Sequence, residues 1–199
     1  MEFEYHLTVN DLNIEEKEAF IAACNAQGVK PVMIVLDHGN YINQPMVTGW
    51  VERSSFQEAR EDIDRIAMQF QQSGFTIVRT KVEIPPVDDR YFDHPVTAYS
   101  TPYFEWHGKV HTEDLAQLKQ LCEADGGHIS RNSLNANGKI RFVTVRNYES
   151  STKFRERVSR IKEILKTHEI EMLKEQYELC IYDSREELDK GWIQMEEKA

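Results

Sequence analysis

The sequence predicts an α+β fold, a tandem duplication of ferredoxin-like β-α-β-β-α-β units with antiparallel sheets. Three observations carry that expectation. Segments recur in order: Glu4-Tyr5-His6-Leu7-Thr8 is echoed by Glu105-Trp106-His107-Gly108-Lys109, and Arg79-Thr80-Lys81-Val82-Glu83 by Lys174-Glu175-Gln176-Tyr177-Glu178. Between them, Met46-Val47-Thr48 leads to Ser54-Ser55 and an amphipathic stretch, as Phe142-Val143-Thr144 leads to Ser150-Ser151 and another. Within each copy the apolar period alternates between two, for strands, and near 3.6, for helices, in the ferredoxin-like order.

The elements follow from local chemistry. In Phe3 to Val9, apolar Phe3, Tyr5 and Leu7 alternate with Glu4, His6 and Thr8, which predicts a strand with one polar face. Asn13 can cap a helix from Ile14 to about Ala26, with Glu15 and Glu16 favourable to its dipole. The β-branched run Lys30 to Leu36 predicts a buried strand, Asp37-His38-Gly39-Asn40 a turn, and Pro45 to Val51 a third strand. Ser54 or Ser55 starts the second helix, with Glu58 completing a capping box and Ile63, Ile66, Ala67 and Phe70 at helical spacing. Ser73-Gly74 stops it, and Phe75 to Ile84 is the fourth strand.

Residues 1–86 therefore form the first repeat and the Pro-flanked polar stretch 87–102 a linker. Residues 103–184 form the second repeat: a strand over Tyr103 to Val110, a Thr112-capped helix carrying Leu115, Leu118, Leu121 and Cys122, and a strand over His128 to Leu134. Asn135-Ala136-Asn137-Gly138 signals a hairpin into Lys139 to Arg146. A helix over Ser151 to His168 turns Phe154, Val158, Ile161 and Leu165 inward, and Ile170 to Tyr182 is the last strand. The tail 185–199 is partly helical.

Composition bounds the function. A net charge of −10 argues against nucleic acid and anionic membrane as partners. The basic run Lys153 to Lys166 alternates with Glu156 and Glu163, as a solvated helix face does. Cys24, Cys122 and Cys180 are odd in number and widely spaced, which fits buried thiols in a reducing compartment. Neither a signal peptide nor an apolar run near the ~20 residues of a membrane helix is readable, so a cytoplasmic location is expected.

The polar strand faces are charged. Glu105, His107 and Lys109 share a face, as do Arg79, Lys81 and Glu83; Phe142, Thr144 and Arg146 share another, and Lys174, Gln176 and Glu178 a fourth. If the two sheets adjoin, Arg79, Lys81, Lys109 and Arg146 meet Glu4, Glu83, Glu105 and Glu178 in one groove or tunnel. That set suits a phosphorylated or carboxylated ligand, held by the cations, with glutamates as general bases or holders of a divalent cation. The alternative is an open sheet face crossed by ion pairs. His128, Ser130 and Asn132 alternate with Ile129 and Arg131, either as a pocket wall or as a hydrated edge strand. Glu4-x-His6 and Glu105-x-His107 are compatible with a metal, with no third ligand readable. Asp183 or Ser184 reads as a helix cap, and Trp192 as packing the tail onto the body.

His128-Ile-Ser-Arg-Asn132, Arg141 to Arg146, Tyr182-Asp-Ser184 and Leu188-Asp-Lys-Gly-Trp192 together resemble a family of uncharacterised bacterial proteins of about this size. Lys81-Val-Glu83 and Tyr103 to Lys109 fit the same pattern, and the likeness brings no activity with it. Glu105-x-His107-x-Lys109 also looks like the opening Glu-x-Glu-x-Lys of CYTH-type triphosphate-tunnel enzymes, with His107 in place of the middle acid and the motif in mid-chain. That resemblance implies a barrel with Glu, Lys and Arg pointing inward around a polyphosphate and a divalent metal.

The expected function is binding of a small anionic molecule in a charged cleft between the repeats. Arg79, Lys81, Lys109, Ser130, Arg131, Asn132, Arg146 and Glu178 would hold it, and Glu83, Glu105, His107 and His128 would do acid-base work. Metal-dependent hydrolysis of a phosphate ester or triphosphate is one alternative. An interaction module whose free sheet face pairs in a homo-oligomer is another.

Overall fold

The computed structural model describes residues 1–86, 102–135 and 137–193. The first repeat comprises β1 (Glu2–Val9), α1 (Ile14–Ala26), β2 (Lys30–Leu36), β3 (Asn43–Glu52), α2 (Phe56–Gln72) and β4 (Ile77–Ile84). The second comprises β5 (Tyr103–His111), α3 (Leu115–Glu123), β6 (Gly127–Asn132), β7 (Ile140–Asn147), α4 (Ser151–Thr167) and β8 (Glu171–Asp183), followed by a 3₁₀ turn at Glu186–Asp189. The proposed linker, apart from Pro102, lies outside the described residues, as do Ala136 of the expected hairpin and residues 194–199 of the tail.

The eight strands form one closed antiparallel barrel in the order β1-β3-β2-β6-β7-β5-β8-β4, with β4 returning to β1. Each repeat contributes four adjacent strands, and the seams join repeats: β2 to β6 through Ile34 opposite Asn132, and β4 to β8 through Lys81 opposite Asp183. Two sheets flanking a cleft were expected; a single barrel with a lumen is found. Unpaired strand edges are costly, and each repeat satisfies its two edges on those of the other. The closure also turns the polar sheet faces inward, so they offer no surface for pairing with another subunit.

The usual placement of the core is inverted. The outward strand faces bury Phe3, Tyr5 and Leu7 against Phe20, Ile63 and Phe70 of the helices. In the second repeat Phe104 stacks on Phe154 at 5.2 Å, with Trp106, Val158 and Ile161 in the same cluster. Eight-stranded barrels either fill their interior with side chains or hold a small ligand there; here the helices cover the outer apolar faces, and the lumen has a charged wall facing a largely apolar one.

Local differences from the expected elements have local causes. Asp114, not Thr112, caps α3 by accepting from Gln117 N at 3.0 Å, while Thr112 Oγ1 accepts from Asp114 N. Ser55 caps α2, and Ser54 donates to Glu58 instead. β4 starts at Ile77, where its pairing with Val9 of β1 ends, and Phe75 ahead of it packs edge-on against Phe20 at 5.3 Å. Among the described residues no helix is long and apolar enough to cross a membrane. All three cysteines are free and buried, and burial pushes Cys24 and Cys122 up to about 12, so these two thiols stay protonated.

Candidate functional site in the barrel lumen

Alternation along the strands sends Glu4, His6 and Thr8 of β1 inward, along with Glu105 and His107 of β5. Arg79 and Lys81 of β4 and Gln176 and Glu178 of β8 complete a charged wall around a cavity of about 230 Å³. The opposite wall is largely apolar, with Val32, Ile34, Met46 and Phe142 from β2, β3 and β7. The lumen is thus two-faced, suited to a molecule with a polar head and an apolar body.

Duplication reaches individual side chains. His6 lies opposite Thr48 and His107 opposite Thr144, each Nδ1 being 2.9 Å from the threonine Oγ1. His6 Nε2 is 2.9 Å from Glu83 Oε2, and His107 Nε2 is 3.2 Å from Glu178 Oε2 and 3.4 Å from Glu105 Oε2. Glu4 pairs across the sheet with Glu83 as Glu105 does with Glu178. Each repeat therefore holds the same Glu-His-Thr-Glu set.

The cations are not duplicated. Lys81 bridges Glu83 Oε1, at 2.5 Å, and Glu105. Its counterpart by register is Gln176, and that of Arg79 is the exposed Lys174. Arg146 donates to Glu105 Oε1 and to Asp189 Oδ2, while the residue in its place in the first repeat is Trp50, which is 52% exposed. Arg79 grips Asp183 through Nε at 2.9 Å and Nη2 at 2.6 Å, and also donates to both oxygens of Asp189. Tyr103 lies beneath, its hydroxyl donating to Asp183 at 2.7 Å and its ring 4.2 Å from the Arg146 guanidinium.

Burial alone would discharge these groups, and the pairing decides which resist it. Arg79, Lys81 and Arg146 are desolvated, yet Asp189, Glu105 and their neighbours hold them well above their ordinary range. Glu83 and Glu105 are likewise desolvated but stay well below theirs, through Lys81 and, for Glu105, Arg146. Burial pulls His107 down, and its contacts to Glu105 and Glu178 more than reverse this, holding it at about 10. Glu4 goes the other way: burial, reinforced by Glu178 and Glu83 against the pull of His6 and His107, raises it to about 7. Glu178 is raised too, by burial first and then by Glu83.

The tail closes one end. Gln44 Nε2 donates to Leu188 O and Asp189 Oδ1, both at 3.2 Å, and Trp192 Nε1 donates to Ile129 O at 2.9 Å. Trp192 and Ile193 pack on Leu36, and Gly39, at a φ of 120° open chiefly to glycine, lets the β2–β3 turn approach Trp192.

Of the residues expected at the site, Glu83, Glu105, His107, Arg79, Lys81, Arg146 and Glu178 converge at the lumen. Ser130 and Asn132 line its far side, with Asn132 Oδ1 already accepting from Met33 N at 3.2 Å. Three do not join them. Arg131 is exposed on the outer face, because strand alternation points it opposite to Ser130. Lys109 sits where β5 shifts register, outside the cavity lining. His128 lies beyond the lumen lining, edge-on to Trp192 at 5.9 Å, in an outer groove with Arg157 and Lys190. Thr144 and Gln176 line the lumen, as their places on the polar strand faces predict, whereas Thr48, Tyr103 and Asp189 join the site without having been expected there; Thr48 stands at the position that Thr144 echoes, which was the available signal.

Glu105, His107 and Glu178 place three ligating atoms within 4.8 Å of one another, a donor set that fits a divalent cation. No protein-family model matches the chain, and neither does any curated protein. Among solved structures, the small subunit of acetolactate synthase from Thermotoga maritima is similar over 92% of this chain and 96% of that one, at 12% identity and a TM-score of 0.34. The ligand-free regulatory subunit of aspartate kinase from Thermus thermophilus is similar over 82% of this chain and 91% of that one, at 16% identity and a TM-score of 0.31. Superpositions this loose carry no argument about this chain, whose fold rests on its own strand pairing.

Proposed function

We propose that the protein binds a small carboxylated or phosphorylated molecule in the barrel lumen. One observation carries the reading: Arg79 and Arg146 already hold a carboxylate, that of Asp189, with Oδ2 at 2.9 and 2.6 Å from their Nη2 atoms. Two guanidinium groups converging on one carboxylate at the end of a cavity form an anion cradle. Because Asp189 belongs to the tail rather than to a strand, an incoming anion can replace it while the barrel stays closed. The apolar wall of Val32, Ile34, Met46 and Phe142 would take the ligand's body.

Calorimetric titration with carboxylates, nucleotides, polyphosphates and sugar phosphates tests this. Asp189→Asn removes the competing charge and is expected to tighten binding by about tenfold or more, while Arg146→Ala abolishes it. No binding at millimolar ligand, or equal binding in folded Arg146→Ala, refutes the proposal.

A second reading is a metal-dependent phosphate-ester or triphosphate hydrolase, favoured by the convergence of Glu105, His107 and Glu178. These residues would hold the ion, which would supply charge neutralisation at the phosphoryl oxygens. The position of Lys109 outside the cavity lining weighs against the tunnel-enzyme pattern. Metal-dependent phosphate release that disappears in Glu105→Gln separates hydrolysis from plain binding.

A further inference from the structure

The symmetry of the charged wall is broken: one acid pair has an ammonium between its members and the other has none. Lys81 Nζ joins Glu83 of its own repeat to Glu105 of the other. At the equivalent position Gln176 Nε2 joins Glu178 of its own repeat, at 2.5 Å, to Glu4 of the other, at 2.9 Å. The carboxylate pairs correspond one to one, yet an ammonium bridges the first and a neutral amide the second. Glu105 has Arg146 as a further cation, whereas the position equivalent to Arg146 beside Glu4 holds the exposed Trp50.

Among the described residues no lysine or arginine reaches Glu4 or Glu178. The contacts of Glu4 are the Gln176 amide and His6 Nε2, at 4.0 Å. Glu178 is 5% exposed, and its Oε2 receives no aligned hydrogen bond although His107 Nε2 is 3.2 Å away. A buried carboxylate oxygen left in that state is costly. Glu4, His107, Gln176 and Glu178 all line the cavity, so a guest in the lumen has direct access to them. Thr144 Oγ1, 2.9 Å from Nδ1, fixes the His107 ring with Nε2 facing Glu105 and Glu178.

We infer that the lumen binds one cation at Glu4 and Glu178, the acid pair that only the Gln176 amide bridges where Lys81 bridges its counterpart. The cation is a divalent metal ion, which would take His107 Nε2 as a further ligand with release of its proton, or the ammonium group of an organic ligand, which would pair with the two carboxylates alone. The site does not depend on the Arg79–Arg146 cradle, so loss of anion binding leaves it standing, and the converse holds.

The test uses the full chain and two probes, Mn²⁺ followed by electron paramagnetic resonance and calorimetry, and n-propylamine followed by calorimetry. Saturable uptake of one Mn²⁺ per chain identifies a metal; saturable uptake of the amine alone identifies an ammonium group. Gln176→Lys installs the missing charge and is expected to weaken uptake by about tenfold or more, while Gln176→Glu strengthens it. Glu178→Gln serves if Gln176→Lys does not fold, and should likewise weaken uptake. The inference is overturned if neither probe saturates at millimolar concentration, or if a folded Gln176→Lys or Glu178→Gln chain takes up the cation as the wild type does.

Discussion

At the scale of single residues, environment overrides intrinsic chemistry, and the histidines show it most clearly. His107, facing Glu105 and Glu178, is held at about 10, whereas His128 is pushed down to about 4, by burial first and then by His38, Arg146 and Arg157. His128 is therefore neutral in the fold at pH 7. Below its unfolded value of about 6.5, the unfolded chain takes up a proton that the folded one refuses. Its contribution to stability is complete above about pH 6.5 and is lost as the pH falls toward 4, amounting to up to about 3 kcal/mol. Urea midpoints at pH 7 and pH 4.5 for wild type and His128→Gln check this: the variant should lose less on acidification, and an equal loss in both contradicts the assignment. Alternation made Glu105 and His107 legible as partners on one strand face. It could not reveal Asp189, whose role depends on a tail folding back 110 residues in sequence onto Arg79.

At the scale of elements, each strand works on both faces, and the outer face is packed without slack. A Cβ added to Gly108 would run into the Trp106 indole, which is fully buried and donates through Nε1 to Glu175 Oε2 at 3.0 Å. Gly108→Ala is therefore expected to cost about 1–3 kcal/mol, with a matching fall in thermal midpoint. An unchanged midpoint would show that the indole can move aside. Helix starts and stops were readable to within a residue or two, because caps such as Asn13, Ser55 and Ser150 act on their own first turn. Thr112 was the expected cap and Asp114 is the actual one, because both residues offer an oxygen and only geometry chooses between them.

At the scale of the whole molecule, the two repeats are mutually dependent. Each alone would expose two strand edges and a face of buried charges whose partners lie in the other repeat: Lys81 needs Glu105, Arg79 needs Asp183, and Glu4 needs the Gln176 amide. Residues 1–86 produced alone are expected to give no stable monomer, associating into dimers or aggregates that pair the free edges. A well-folded monomer of that fragment by light scattering and circular dichroism would contradict this. For the same reason the intact chain should unfold in one transition, with tryptophan fluorescence and far-ultraviolet circular dichroism coinciding.

The order of elements, the duplication and the sharing of one strand face by the charged side chains follow from periodicity within a strand or helix, and so are legible in the chain alone. Tertiary pairing sets the rest: two sheets become one barrel, the charged faces turn inward, the cations answer to particular acids, and Arg131, Lys109 and His128 stand apart. Those outcomes depend on pairings across the β2–β6 and β4–β8 seams, between residues about a hundred positions apart. Local alternation says which face a side chain takes; it does not say which strand will lie beside it.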